Sequence, residues 1–183
     1  MARRGVRLVL ICEDREHERF ARHAFLRLGF HRRELRFLTS PSGRGAANHW
    51  ILNRYADEVR AHRHRSSSQK VGLVTVIDAD KKTVAERHKQ FSDQLKNAAL
   101  PARSDDECIV LWVPRRHIET WVAYLRGEKV DEEMDCTRLA PDTAYPSAAA
   151  SFIQRYRQKS DRPKNLLPSI ATAFDETDRL RVR

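Results

Sequence analysis

Val71-Gly72-Leu73-Val74-Thr75-Val76-Ile77-Asp78-Ala79-Asp80 decides how this chain is read. Its first seven residues are almost continuously apolar and rich in β-branched side chains. That is the pattern of a strand covered on both faces, whereas a half-exposed strand alternates. Two carboxylates then stand at the C-terminal end of the run, where open α/β sheets place their ligands. In an extended segment Asp78 and Asp80 project to the same side and repel each other unless a divalent cation, a proton or basic neighbours offset the charge. The Asp-Ala-Asp tip is therefore a metal site or a solvated turn, and residues elsewhere must separate the two.

On the N-terminal side, Val6 to Cys12 reads as a first strand. A helix follows from Arg15 to Leu28, with Phe20, Phe25 and Leu28 on one face and Gly29 ending it. A shorter strand spans Leu35 to Leu38, and a Ser/Gly-rich loop leads into a helix from Ala46 to Arg63 striped by Trp50, Ile51, Tyr55 and Val59. Past the central strand come a charged helix from Thr83 to Asn97, a fourth strand from Cys108 to Val113, and a helix opening near His117. In the last, Ile118, Trp121, Val122 and Leu125 face inward. This alternation predicts an α/β, Rossmann-like fold over residues 1–127, with a mainly parallel sheet of about four strands flanked by helices. Residues 128–183 form an extension expected to pack on that core. Its Glu128 to Asp135 stretch is acidic and looped, and Pro141, Pro146, Pro163 and Pro168 break the rest into short helices at best, with poor order over residues 136–146.

The bulk composition narrows the function. A chain of 183 residues fits one domain, no apolar run reaches membrane-spanning length, and Met1-Ala2-Arg3-Arg4-Gly5 is not followed by a signal-peptide cleavage site. Cys12, Cys108 and Cys136 are odd in number and widely spaced, which points to a reduced, cytoplasmic protein. Cys12 and Cys108 read as small core residues. Lys and Arg outnumber Asp and Glu by 35 to 25, and the net charge of +10 favours polyanionic partners, nucleic acid first and an acidic protein surface second.

The other strand ends turn the opening question towards metal. The first strand ends in Glu13-Asp14, and the fourth passes through Pro114-Arg115-Arg116-His117 to Glu119. In a parallel sheet all these ends share one edge, so acids distant in sequence converge, and Mg²⁺ or Mn²⁺ would offset their repulsion. The pattern resembles the Toprim fold, whose signature is a Glu after the first strand and Asp-x-Asp after the third. Here Glu13 matches the first element, and Asp78 and Asp80 match the second. The chain is also similar to the compact Toprim nucleases of the overcoming-lysogenization-defect group, which carry a further acid beyond the next strand, matched by Glu119. The resemblance covers about residues 5–127. It departs at Asp14, where Toprim domains usually have Gly; this Asp is an additional ligand or a helix N-cap.

The resemblance implies a metal-dependent nuclease that cuts or nicks DNA, with Glu13, Asp78, Asp80 and Glu119 as ligands of Mg²⁺ or Mn²⁺. It also implies an assisting basic residue, for which Arg115 and Lys82 rank first. Because the chain lacks a Gly-rich phosphate loop, any ATPase of the overcoming-lysogenization-defect or structural-maintenance type would be a separate subunit, in a setting of defence against phage. A non-catalytic nucleic-acid-binding or regulatory subunit is the alternative. Arg44, Arg63, Arg65 and Arg116 are the candidate phosphate contacts, and an oligomer is compatible with the sequence. For Arg44 the alternative is an ordinary helix entry, and for His62-Arg63-His64-Arg65 a basic, solvated helix end. His117 is a candidate acid or base, or a surface cap. Glu16 and Glu18 read as exposed helix acids, and Trp50 and Trp121 as core.

Overall fold

The computed structural model describes residues 6–41, 44–134, 140–158 and 163–180, with only the backbone of 44–46. Four strands, β1 (Arg7–Cys12), β2 (Leu35–Thr39), β3 (Val71–Val76) and β4 (Ile109–Trp112), form one all-parallel sheet in the order β2-β1-β3-β4. From β1 the chain steps outward to β2, crosses back over β1 to β3, then continues to β4. The order therefore reverses between β1 and β3, and such a switch point opens a crevice at the carboxyl ends of the strands. Pairing continues past β3: Ile77 N–H donates to Trp112 C=O at 3.1 Å and Ala79 N–H to Pro114 C=O at 2.8 Å. Those bonds hold the Asp78 backbone rigidly beside the end of β4. Gly72 sits inside the apolar run because a side chain there has no room; a Cβ would lie 2.6 Å from Leu8 Cδ2.

The helices divide between the two faces. On one, α2 (Arg44–Ser66) and α3 (Val84–Asn97) bury Ile51, Tyr55, Val59, Phe91 and Leu95 against Val9, Ile11, Leu73 and Leu111. On the other, α1 (Arg15–Leu28) buries Phe20, Ala24 and Phe25 against Leu10, Val74 and Trp112. Helix α1 is set by its caps. The Asp14 carboxylate accepts from the N–H groups of Glu16 and His17, and Gly29 closes the helix at φ 105°, a left-handed conformation that costs glycine little. Thr83 and Glu86 form a reciprocal capping box that starts α3.

The extension is more regular than the sequence predicts. Short α4 (Ile118–Leu125) leads to α5 (Ala144–Arg157) and α6 (Pro168–Thr177). Pro146 does not break α5, because it lies in the first turn, where its missing N–H has no partner to lose, and Pro168 occupies the first position of α6 for the same reason. Small Ala148 and Ala149 let α5 lie close against α1 and α4. Its Phe152 is fully buried, with ring centroids 5.4 Å from Phe20, 5.1 Å from Trp112, 5.7 Å from Trp121 and 4.9 Å from Phe174. Helices α5 and α6 thus contribute to the larger core. Buried Glu132 ties the acidic loop to α6 by accepting from the Ser169 hydroxyl and N–H, and Ser169 Oγ accepts from Trp121 Nε1 at 2.8 Å. Of residues 136–146, expected to be poorly ordered, 140–146 are described and 144–146 open α5, while 136–139 and Cys136 lie outside the described residues. Among the described residues no helix is long and apolar enough to cross a membrane.

Candidate metal centre

Because β1 and β3 are neighbours, Glu13 and Asp78 leave the same edge of the sheet side by side. Glu13 Oε2 accepts from the Asp78 N–H at 3.0 Å, which fixes the glutamate against the strand that carries the aspartate. One turn into α1, His17 points back over both. Its Nε2 lies 2.9 Å from Asp78 Oδ1 and 3.9 Å from Glu13 Oε2, while Nδ1 lies 2.6 Å from Asp14 Oδ1. One donor atom from each of Glu13, His17 and Asp78 falls within 4.8 Å of the others, so the three could hold a metal ion. Two carboxylates and an imidazole form a chemically suitable donor set for a divalent cation, and the slight spread is within the reach of side-chain rotation.

The site is nearly sealed, so electrostatics there are strong. Burial pushes the Glu13 carboxyl up to about 7; the Asp78 charge adds to this and His17 opposes it. Burial works against a charged His17, yet Asp78 and Asp14 outweigh it and raise the imidazole well above its ordinary value. For Asp14 burial is likewise overcome, and the hydrogen bond and charge of His17 hold it well below the carboxylate range. In the absence of an ion, His17 is thus the cation lodged between Asp14 and Asp78. A second buried cation, Arg87 of α3, donates to Ala79 C=O at 3.3 Å and lies 3.6 Å from Asp80 Oδ2.

The remaining residues expected at the site lie around this centre or away from it. Asp80 does not project alongside Asp78: its φ is 56°, the chain turns there, and its side chain is 40% exposed against 9% for Asp78. It therefore lies on the rim, outside the three-donor set. Glu119 stands in the first turn of α4, where burial and then the Asp78 charge raise its carboxyl. His117 starts the same helix, with Nδ1 3.7 Å from Asp78 Oδ2. Asp14 is the α1 cap and the partner of His17. Glu18 accepts from Thr39 Oγ1 at 2.7 Å and so ties α1 to β2.

The basic candidates are mostly spent on the protein itself. Arg115 donates through Nε to Glu133 at 2.9 Å and through Nη1 to the carbonyls of Asp80 and Lys82, so it braces the turn after Asp78. Arg116 donates to the carbonyls of Asp80 and Glu133. Lys82 is exposed beside Glu86 and Lys89. Arg63 and Arg65, candidate phosphate contacts, end α2, and Arg65 lies near the start of β3, a strand length of about 20 Å from Asp78. Arg63 grips Glu107 and the carbonyls of Pro101 and Ala102. The Arg44 side chain lies outside the described residues.

Sequence reasoning passed over His17 and Arg87. For His17 a signal was available, since it follows Glu13 by one helical turn and so lies on the same side of α1's start. Arg87 had none, because only the crossover of α3 brings it under the Asp78–Asp80 turn. Fold and site together define an open α/β protein with a carboxylate–imidazole cluster at its topological switch point. Comparison with protein-family models, curated proteins and solved structures finds no match.

Proposed function

We propose that the chain is a metal-dependent phosphodiesterase that cuts or nicks DNA in the cytoplasm, working with a separate ATPase subunit of the overcoming-lysogenization-defect or structural-maintenance type. The observation that carries this reading is the convergence of Glu13 and Asp78 from adjacent β1 and β3 on one donor set with His17. A bound Mg²⁺ or Mn²⁺ would activate a water and stabilise charge on the scissile phosphate. Glu13 and Asp78 hold the ion, with Asp80, on the exposed rim, as the added ligand on the substrate side. Glu119, kept protonatable by burial, orients the attacking water. The net charge of +10 favours the phosphate backbone as a partner.

The test is plasmid cleavage with Mg²⁺ or Mn²⁺, by the chain alone and with the product of its neighbouring gene. Cutting that is abolished by Asp78→Ala supports the enzyme; no cutting in either setting, or cutting untouched by Asp78→Ala, overturns it. A second reading, a non-catalytic nucleic-acid-binding or regulatory subunit, draws on a different observation. His17 and Arg87 already offset the acids without an ion, and Arg63, Arg115 and Arg116 are engaged within the chain.

A further inference from the structure

We infer that the ion of this centre is a nitrogen-accepting transition metal of the Mn²⁺-to-Zn²⁺ series, ligated by Nε2 of His17 together with Glu13 and Asp78, rather than Mg²⁺ held by oxygen alone. The inference rests on the metal-binding part of the proposed function and is independent of DNA being the substrate.

Distances come first. Donors about 2.1 Å from one ion are about 3.0 Å apart when they subtend a right angle and about 4.2 Å apart when opposite. His17 Nε2 is 2.9 Å from Asp78 Oδ1 and 3.9 Å from Glu13 Oε2. Two donors of one ion at these separations subtend about 90° and about 135°, within the range such ions accept. The imidazole thus sits where a ligand belongs, at the same separation from the carboxylates that two ligands of one ion have.

The far side of the ring supplies the second argument. A metal-bound histidine characteristically gives its other ring N–H to a carboxylate, which sets the tautomer and the ring plane. Asp14 does this for Nδ1 at 2.6 Å, and is itself anchored by the N–H groups of Glu16 and His17 at 3.0 and 3.1 Å. The N-cap of α1 and the orienting carboxylate are one residue, so the start of the helix aims Nε2 at Glu13 and Asp78. His17 is 1% exposed, which removes solvent as a reason for that orientation.

Two buried polar atoms also lack a hydrogen-bond partner: Nε of Arg87, whose Nη2 lies 3.6 Å from Asp80 Oδ2, and the hydroxyl of Tyr145. Burial acts most on both, lowering Arg87 and raising Tyr145, followed by the charges of Glu13, Asp80 and Asp78 for Arg87 and of Glu119, Glu16, His17 and Asp14 for Tyr145. Leaving such donors unpaired is costly. Mg²⁺ prefers oxygen ligands and retains its waters, whereas imidazole suits the transition series.

The experiment uses the full chain stripped of metal and reloaded with Mn²⁺. Pulsed electron paramagnetic resonance should show a directly bound imidazole nitrogen, and ¹⁵N-histidine labelling should shift that signal. Calorimetry should show Mn²⁺ binding weakened more than about tenfold in His17→Gln and about 10- to 100-fold in Asp14→Asn, with Mg²⁺ binding changed far less. Bound Mn²⁺ without nitrogen coupling in the unmodified chain overturns the inference even if neither variant folds, while leaving the metal-dependent reading intact. Absence of any bound ion overturns both. Nitrogen coupling without plasmid cleavage supports the inference and counts against the nuclease.

Discussion

Phe152→Ala should unfold more than its own helix. The ring is fully buried and meets Phe20 of α1, Trp112 of β4, Trp121 of α4 and Phe174 of α6, so it joins the sheet to the C-terminal helices. Truncating a buried Phe costs about 3–5 kcal/mol through lost transfer energy and the cavity left behind. Four aromatic partners, each worth about 0.5–1.5 kcal/mol beyond area in favourable geometry, place the value towards the upper end. For a chain of this size that lowers Tm by about 10–20 °C. Urea unfolding followed by tryptophan fluorescence and far-ultraviolet circular dichroism should show one coincident transition at lower urea with an unchanged slope. Phe152→Leu should recover most of the loss. A loss below about 1 kcal/mol, or separate melting of residues 128–183, would refute the single core on which the placement of α4 and Glu119 depends.

Burial raises Glu13 from 4.5 to about 7, so in the ion-free protein this group's contribution to stability is full below 4.5 and is lost as pH rises through about 7. Protons compete with the ion at Glu13 and also at His17, whose raised imidazole must lose a proton to bind, so Mn²⁺ affinity by calorimetry should keep climbing with pH through about 7, and Glu13→Gln should make the climb shallower without removing it; an affinity already flat from about pH 5.5 to about pH 8.5 counts against the site. The Cys12 thiol, fully buried and pushed up to about 12, should resist a disulfide reagent in a chain carrying Cys108→Ser and Cys136→Ser until urea unfolds it; rapid labelling of the native chain would contradict its place under α1. Arg63→Ala should cost about 1–2 kcal/mol in urea unfolding and leave DNA affinity by fluorescence anisotropy unchanged, because its donors hold Glu107 and two carbonyls; the opposite result would return Arg63 to the nucleic-acid surface.

Local features of this fold were legible because local rules determine them. The apolar run into Asp78, the helix from Arg15 to Leu28 and its end at Gly29 follow from side-chain periodicity and backbone preference, which adjacent residues dictate. Pro146 and Pro168 were misleading because their effect depends on position within a helix turn, and composition alone does not reveal it. The strand-end acids could be named from the sequence, but not their partners. Strand order makes Glu13 and Asp78 neighbours, the positive φ of Asp80 turns its side chain to the rim, and the α3 crossover delivers Arg87. The fate of the arginines was equally hidden, since a basic residue reads alike in sequence whether it faces solvent or grips a carbonyl, as Arg63 and Arg115 do. Over residues 6–127, sequence by itself determined which residues form strands and helices and which acids stand at their ends. Tertiary structure alone decided that a histidine, oriented by a helix cap, completes the donor set, because that depends on distances between segments that no local pattern encodes.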